Sequence, residues 1–161
     1  MTKPDPTPDV AAALASLLAR LPRAHQPLLI ALAERLAAER YRGWAAQREG
    51  SAREQLLACA EREEEIAGRI EALHPDAAEI QAGIRADHPD LQDVNRSVFA
   101  GRPLAEQFAM QAQGERLGAA TWRSFAREAD PQAREALLAC AKLEEESAAV
   151  LEALLAETGT A

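Results

Sequence analysis

The chain has 161 residues, a formal net charge of −8 and an aromatic content of 4%. The length favours one domain with a core of its own, and the acidic charge argues against a nucleic-acid-binding protein, which needs a basic face. Ala, Leu, Glu and Arg dominate the composition. Because these residues favour helices and runs of Val, Ile and Thr are missing, an all-α fold is predicted.

The beginning of the chain does not have the pattern of a targeting sequence. Residues 1–8 contain three prolines, and this composition predicts a disordered tail. The apolar run that follows lacks the basic segment that precedes it in a signal peptide. The sequence has no apolar run of about 18 residues and no polybasic patch, so no membrane partner is expected. A cytoplasmic protein with two reduced cysteines is predicted.

Helix signals in the first half predict one short and two long helices. A short helix is expected over 9–20, with Asp9 as its N-cap and a proline soon after its end. A long helix is predicted over 27–47, since a proline suits its first turn. A Gly-Ser turn follows, and Ser51 is the expected N-cap of a second long helix over 52–73.

The second half has the same succession of signals. Short helices are predicted over 75–86 and 90–100, separated by an Asp-His-Pro break. Long helices are predicted over 103–129 and 132–156. Between them Asp130 is the expected N-cap, and the proline after it suits a first helical position.

These similarities arise from an internal repeat. Residues 34–73 align with residues 115–154 without a gap, at an offset of 81 positions, and 21 of the 40 aligned pairs are identical. A fixed offset without gaps indicates a duplication. A single domain over 9–161 is therefore predicted, with repeat one at 9–74, a connection at 75–89 and repeat two at 90–156.

Each repeat is then a short helix followed by a long helical hairpin. A hairpin cannot bury its apolar stripes alone, and packing two of them together gives a four-helix bundle. The link over 75–102 is much longer than a turn between helices needs, so it can run the length of the bundle as a crossover.

One glutamate interrupts the apolar stripe of each long helix. In the second long helix Cys59 and Ile66 belong to the stripe, and Glu63 occupies the step between them. Glu144 occupies the same step in the fourth long helix, while Glu34 and Glu115 align with the apolar residues of the first and third. The distances along the chain place all four at one level of antiparallel helices. Four carboxylates are therefore expected to converge in the middle of the bundle.

Buried carboxylates need compensation, because burying an ionised group alone costs many kcal/mol. A divalent metal, protonation or arginine partners would provide it. The arginines that lie beside these glutamates in the sequence are the expected bridging partners if no metal is bound. They are Arg35, Arg42, Arg116 and Arg123.

These segments resemble the ferritin-like, rubrerythrin-like di-iron carboxylate proteins, which have one Glu on each of two helices and a Glu-x-x-His on each of the other two. Glu34 and Glu115 match the single glutamates. Glu63 and Glu144 match the glutamates of the Glu-x-x-His segments. The resemblance implies a ferritin-like four-helix bundle of two duplicated hairpins, each preceded by a short helix, with a metal site formed by all four.

The sequence departs from this family at both histidines, where Ile66 and Ser147 stand. A site made only of carboxylates favours hard ions such as Mn, Mg or Ca over a histidine-containing iron site. Two functions are compatible with these residues. One is a ferritin-like protein with a degenerate all-carboxylate site that binds a divalent metal, Fe or Mn, between the helices. The other is a non-catalytic, metal-free helical scaffold or protein-interaction module, and a homo-oligomer or a protein partner fits either function.

Other chemically distinctive residues are interpreted as structural. The aromatic residues near the hairpin turns are expected to be core residues, namely Tyr41, Trp44, Trp122 and Phe125. Cys59 and Cys140 are expected to be small buried fillers. Glu71 and His74 form a Glu-x-x-His segment, and His25 is expected at the same end of the bundle. Three such groups together can bind zinc. A surface histidine is the favoured interpretation there.

Overall fold

The computed structural model describes residues 9–159, and within that range the chain forms seven α-helices, one short 3-10 helix and no strand. The all-α prediction is confirmed. The predicted disordered tail over 1–8 lies outside the described residues. The helices are α1 (Val10–Leu18), α2 (Gln26–Ala45), α3 (Gly50–Ala72), α4 (Ala77–Asp87), α5 (Leu91–Phe99), α6 (Leu104–Glu128) and α7 (Pro131–Thr158), with the 3-10 helix at Arg23–His25 before α2.

The four long helices pack as two pairs joined side by side. α2 packs along α3, α6 packs along α7, and α3 packs against α7. The short connection within each pair makes its helices antiparallel neighbours. Of the shorter helices, α1 packs against α6, α5 against α2, and α4 against both α2 and α3.

Two of the three predicted helix caps are present. The side chain of Asp9 accepts a hydrogen bond from the backbone N–H of Ala12, and that of Asp130 accepts one from Ala133. The prediction for Ser51 is wrong, because α3 already begins at Gly50. Gly50 has a φ of +60°, which glycine adopts without strain because it has no Cβ. The chain therefore reverses direction before the serine is reached.

Helix positions recur at the offset of the sequence repeat. α1 and α5 have the same length, and both ends of α5 lie 81 residues after those of α1. The starts of α3 and α7 are also 81 residues apart. The connection predicted over 75–89 contains α4.

The core consists of two hydrophobic clusters at different levels of the long helices. The first cluster includes Leu28, Ala31, Ile66, Ala67, Ala119, Trp122, Cys140 and Ala141. The second cluster includes Ala38, Tyr41, Cys59, Ala60, Phe108, Ala112, Leu151 and Leu154. On each long helix one glutamate lies between the residues of the two clusters. The apolar core therefore has a carboxylate layer across its middle.

Candidate metal centre

The carboxylate layer consists of the four glutamates that interrupt the apolar stripes. Glu34 lies on α2, Glu63 on α3, Glu115 on α6 and Glu144 on α7. Their relative exposures are 8%, 0%, 1% and 1%. All four are therefore in the interior, as their positions on the stripes predict.

Three of the four carboxylates form a group with metal-ligand spacing. One oxygen each from Glu34, Glu63 and Glu144 lie within 4.8 Å of one another. Oxygens that bind one divalent ion at roughly 2.0–2.6 Å cannot lie more than about 5.2 Å apart. The three glutamates therefore fit a single hard cation. Glu115 is outside this group, but it lies close enough to Glu144 to raise the pKa of that carboxyl group.

Two neutral donors orient carboxylates of this group. The indole Nε1 of Trp122 donates to Glu144 Oε1 at 2.8 Å, and the hydroxyl of Ser147 donates to Glu63 Oε1 at 3.1 Å. Both donors are fully buried. Ser147 and Ile66, which is also fully buried, occupy the positions of the histidines in the family that the sequence resembles. Only Ser147 brings a polar group to the site.

Glu115 is held by a separate set of side chains. Its Oε1 accepts hydrogen bonds from the hydroxyl of Tyr41 at 2.6 Å and from the side-chain amide of Gln111 at 2.7 Å. Arg40 donates to Gln111 Oε1 at 2.8 Å and also hydrogen-bonds Asn95. A chain of polar contacts thus runs from Glu115 to a guanidinium group.

Two carboxylate oxygens have no hydrogen-bond partner among the described residues. They are Oε2 of Glu63 and Oε2 of Glu115, and both are fully buried. Nearly all buried polar atoms in proteins have a partner, and an unsatisfied one costs about 1–3 kcal/mol. Unpaired acceptors beside a group of acids are suited to a cation.

Burial shifts the acidity of these glutamates. Desolvation, together with the charge of Glu115, raises the pKa of Glu34 from 4.5 to about 7. Desolvation and the neighbouring carboxylates raise the pKa of Glu63 and Glu144 well above the ordinary value. Without a cation Glu63 and Glu144 therefore hold protons at neutral pH and Glu34 is partly protonated, whereas with a bound cation all three would be ionised.

The arginines expected to bridge the buried glutamates do not reach them. Arg35 pairs with Glu64 and Glu71, while Arg116 pairs with Glu152. Arg42 and Arg123 likewise pair with outer glutamates of α3 and α7. That prediction is wrong, because adjacent residues on a helix are about 100° apart, so an arginine next to a core glutamate faces outward.

The cation that does face the site, Arg40, was not predicted. It lies six residues after Glu34, where no apolar pattern points to the interior. Burial lowers its pKa to about 10, and its guanidinium lies over the ring of Phe99 at 3.9 Å from the centroid. The donors Tyr41 and Trp122 had a detectable signal, because each lies seven residues, or two helical turns, after a core glutamate.

Glycine at position 118 makes room for one of the carboxylates. A Cβ added to Gly118 on α6 would lie 2.5 Å from Oε1 and 2.8 Å from Cδ of Glu144. The position that matches it in the sequence repeat is Ala37. The absence of a side chain on α6 therefore lets the Glu144 carboxylate lie against the helix backbone.

The remaining candidate residues have structural surroundings. Cys59 and Cys140 are free and buried, as predicted, and burial raises the pKa of their thiols to about 11 and about 12. Glu71 pairs with Arg35, and His74 Nδ1 lies 3.0 Å from the carbonyl oxygen of Ile70. Within residues 9–159 the only group of three potential metal ligands is that of Glu34, Glu63 and Glu144, so the zinc spacing at Glu71 does not correspond to a site.

The chain matches no known family model, and searches of curated proteins and of solved structures give no match either. None of the described helices combines the length and hydrophobicity needed to cross a membrane. The function of the chain is therefore inferred from the geometry of the carboxylate layer.

Proposed function

We propose that the chain is a ferritin-like four-helix bundle of two duplicated hairpins that binds a divalent metal ion between its long helices. Glu34, Glu63 and Glu144 are the first ligands, and Glu115 is the fourth carboxylate of the centre. The observation that supports this most strongly is the convergence of three buried carboxylates within 4.8 Å. The recurrence of helices at the 81-residue offset supports the duplicated architecture.

A cation accounts for features that protons alone leave unexplained. Protonation removes charge from the layer, but Oε2 of Glu63 and Oε2 of Glu115 still have no partner among the described residues. A divalent ion held by Glu34, Glu63 and Glu144 would provide a partner for Glu63, whose unsatisfied acceptor otherwise costs about 1–3 kcal/mol, and would place a positive charge near Glu115. The ligands are all oxygens, so the ion is a hard one, with Mn or Fe as the proposed metals.

The protein's own residues would hold and orient the ligands. A bound Mn or Fe ion would supply Lewis acidity and redox chemistry. Trp122 and Ser147 each fix one oxygen of a ligand carboxylate, and Tyr41 and Gln111 do the same for Glu115. Such outer contacts in metal sites typically change affinity or activity by about 10–100-fold when removed.

The proposal is tested by metal analysis of the protein purified without added metal, combined with thermal unfolding. A chelator should lower the melting temperature of the metal-loaded protein and added Mn should restore it, because a ligand at about 100 times its Kd stabilises the folded state by about 2.7 kcal/mol. The double variant Glu63→Gln, Glu144→Gln should lose both the bound metal and the response to Mn.

A matched control is available one residue further along each helix. Glu64 and Glu145 occupy equivalent repeat positions and pair with arginines on the outside. Their double substitution by Gln should leave the Mn response unchanged. A Glu63→Gln, Glu144→Gln variant that kept its metal content, melting temperature and Mn response would refute the metal centre.

The second candidate function is the metal-free helical scaffold or protein-interaction module. The observation that favours it is the close approach of the carboxyl groups themselves, since one oxygen each from Glu34, Glu63 and Glu144 lie within 4.8 Å of one another. Shared protons can hold the layer together without an ion. Elemental analysis that finds no metal, and Mn that fails to raise the melting temperature, would select this function.

A further inference from the structure

A cavity of about 390 Å³ lies between α2 and α6, and residues of α1 and α5 contribute to its wall. Small-molecule sites in proteins typically measure roughly 300–1,000 Å³. Most of the wall is apolar, and the side chains that form it include Leu14, Leu17, Leu36, Val98, Met110 and Leu117. Several of these leucines are only half-buried, so the cavity opens to solvent through an apolar rim.

The same cavity reaches the carboxylate layer. Glu34, Glu115 and Glu144 are part of its wall, and Oε2 of Glu115 is one of the two buried oxygens without a hydrogen-bond partner. Glu34 is the most exposed of the four glutamates, at 8%. A ligand in the cavity therefore meets hydrocarbon over most of its length and carboxylate oxygens at one place.

Three arginines also belong to the wall. Arg35 pairs with Glu64 and Glu71, Arg85 is exposed to solvent, and Arg40 lies closest to the carboxylate layer. Arg40 is hydrogen-bonded to Gln111 and Asn95 and stacks on Phe99.

An anionic head group would offer no N–H donor to Glu34, Glu115 and Glu144, and its charge would oppose the ionisation of these groups. A neutral apolar ligand would leave the unpaired acceptor as it is. A cationic head group with N–H donors matches the acceptors and the charge of this part of the wall.

We propose that this cavity binds a primary amine with an apolar tail, with the ammonium group on Glu34, Glu115 and Glu144 and the tail against the leucines of α1, α2 and α6. An ammonium group has three N–H donors, one for each buried carboxylate in the wall, whereas the fourth, Glu39, is exposed. The inference shares these carboxylates with the proposed metal centre but does not require the ion. An alkylamine and a divalent metal would instead compete for the same oxygens.

The test is calorimetric titration of the full chain, treated with chelator, with decylamine, decanol and decanoate below their micelle-forming concentrations. These probes share one tail and differ in charge. Decylamine should bind with one-to-one stoichiometry and at least about tenfold more tightly than the other two, a difference of about 1.4 kcal/mol. Equal binding of all three, or tightest binding of decanoate, would overturn the proposal.

A pair of leucine variants tests the location. Leu117→Trp should fill the cavity and weaken decylamine binding by at least about tenfold, whereas Leu138→Trp, at an exposed leucine of α7, should leave it unchanged. If Leu117→Trp fails to fold, Glu115→Gln serves instead, since it should reduce the preference for decylamine over decanol. Decylamine binding that is unaffected by both Leu117→Trp and Glu115→Gln would place the amine elsewhere and refute the inference.

Mn separates this inference from the proposed metal function. In the native chain Mn should raise the apparent Kd for decylamine by competition. Amine binding to a protein that takes up no metal would uphold the inference and refute the metal centre. Mn binding to a protein that does not bind decylamine would refute the inference and leave the metal centre standing.

Discussion

The hairpin of α2 and α3 and the hairpin of α6 and α7 carry matching contacts on their outer faces. Arg35 pairs with Glu71 in the first, and Arg116 pairs with Glu152 in the second, 81 residues later. The pairs of Arg42 with Glu64 and of Arg123 with Glu145 match in the same way. Near both turns an arginine of the second helix donates to a backbone carbonyl of the first, from Arg53 to Ala45 and from Arg134 to Ala126.

The inner faces of the two hairpins differ. Tyr41 donates across to Glu115 in the other hairpin, whereas Trp122, at the matching position, donates to Glu144 within its own. Gly118, which matches Ala37, gives the Glu144 carboxylate its space. The outer contacts have kept the symmetry of the repeat while the site has lost it, so the four glutamates are not chemically equivalent.

The largest effect is expected from pH, which acts only on the inner face. Between pH 4.5 and about 7 the folded protein keeps on Glu34 a proton that the unfolded chain has lost. Stability therefore falls as pH rises through this window. The groups facing Glu34 are Glu63, Glu115, Glu144 and Arg40, and since Glu63 and Glu144 also have raised pKa values, the fall continues above pH 7.

Urea unfolding of the chelator-treated protein should show a loss of stability between about pH 5 and pH 8, to which Glu34 alone contributes on the order of 3 kcal/mol and Glu63 and Glu144 add in the same direction. The outer acids with lowered pKa values, Glu71 and Glu152, are already ionised in both states above about pH 5 and do not mask this trend. Glu34→Gln should reduce the slope. Stability that rises over the same window would show that these carboxyl groups are not buried as acids. With Mn present the trend should reverse, because the ligands must lose their protons to bind.

The next largest change in stability is expected from filling the space beside Glu144, which is found on the inner face of the second hairpin. Alanine in place of a mid-helix glycine normally stabilises by about 1 kcal/mol, but Gly118→Ala puts a methyl group against Glu144 Oε1 and should destabilise by about 1–3 kcal/mol. Denaturant unfolding measures the difference. Gly68→Ala on α3, where nothing lies near the added Cβ, is the control and should stabilise. If both substitutions changed the free energy of unfolding in the same direction, the close contact between position 118 and Glu144 would be contradicted.

A smaller effect is expected from the contact that crosses between the hairpins. Tyr41→Phe removes one of the two donors to Glu115 Oε1 and leaves Gln111, so the loss should be about 1 kcal/mol. A double-mutant cycle of Tyr41→Phe with Glu115→Gln should give a coupling energy of about 1 kcal/mol. The parallel cycle of Trp122→Phe with Glu115→Gln should give a value close to zero, since Trp122 donates to Glu144. Equal coupling in both cycles would mean that the two aromatic residues play equivalent roles.

The smallest effects should come from the outer faces and should be alike. Arg35→Gln and Arg116→Gln each break a partly exposed ion pair, which typically costs about 0.2–1 kcal/mol and less at high salt. Arg35 also contacts Glu64, so Arg35→Gln should be slightly less stable than Arg116→Gln. A loss larger than that of Gly118→Ala from either variant would contradict the division into a symmetric surface and an asymmetric interior.

Local features of the sequence determined the helices and the burial of the glutamates. Asp9 and Asp130 cap helices because an acid before an apolar run satisfies the first free N–H groups wherever the helix packs. Glu34, Glu63, Glu115 and Glu144 are interior because their places on an apolar stripe follow from 3.6 residues per turn. The start of α3 was missed because, with the positive φ of Gly50, the helix begins two residues earlier than predicted.

The tertiary structure alone decided the partners of those glutamates. Tyr41 and Trp122 occupy equivalent positions on equivalent helices, yet one donates to Glu115 and the other to Glu144. The same holds for Arg40, whose inward contacts are with Gln111 on α6 and Asn95 on α5. Periodicity is a property of one helix and can be read along the chain. Hydrogen bonds and cavities between helices depend on how far apart and at what rotation the helices pack, which no single helix encodes.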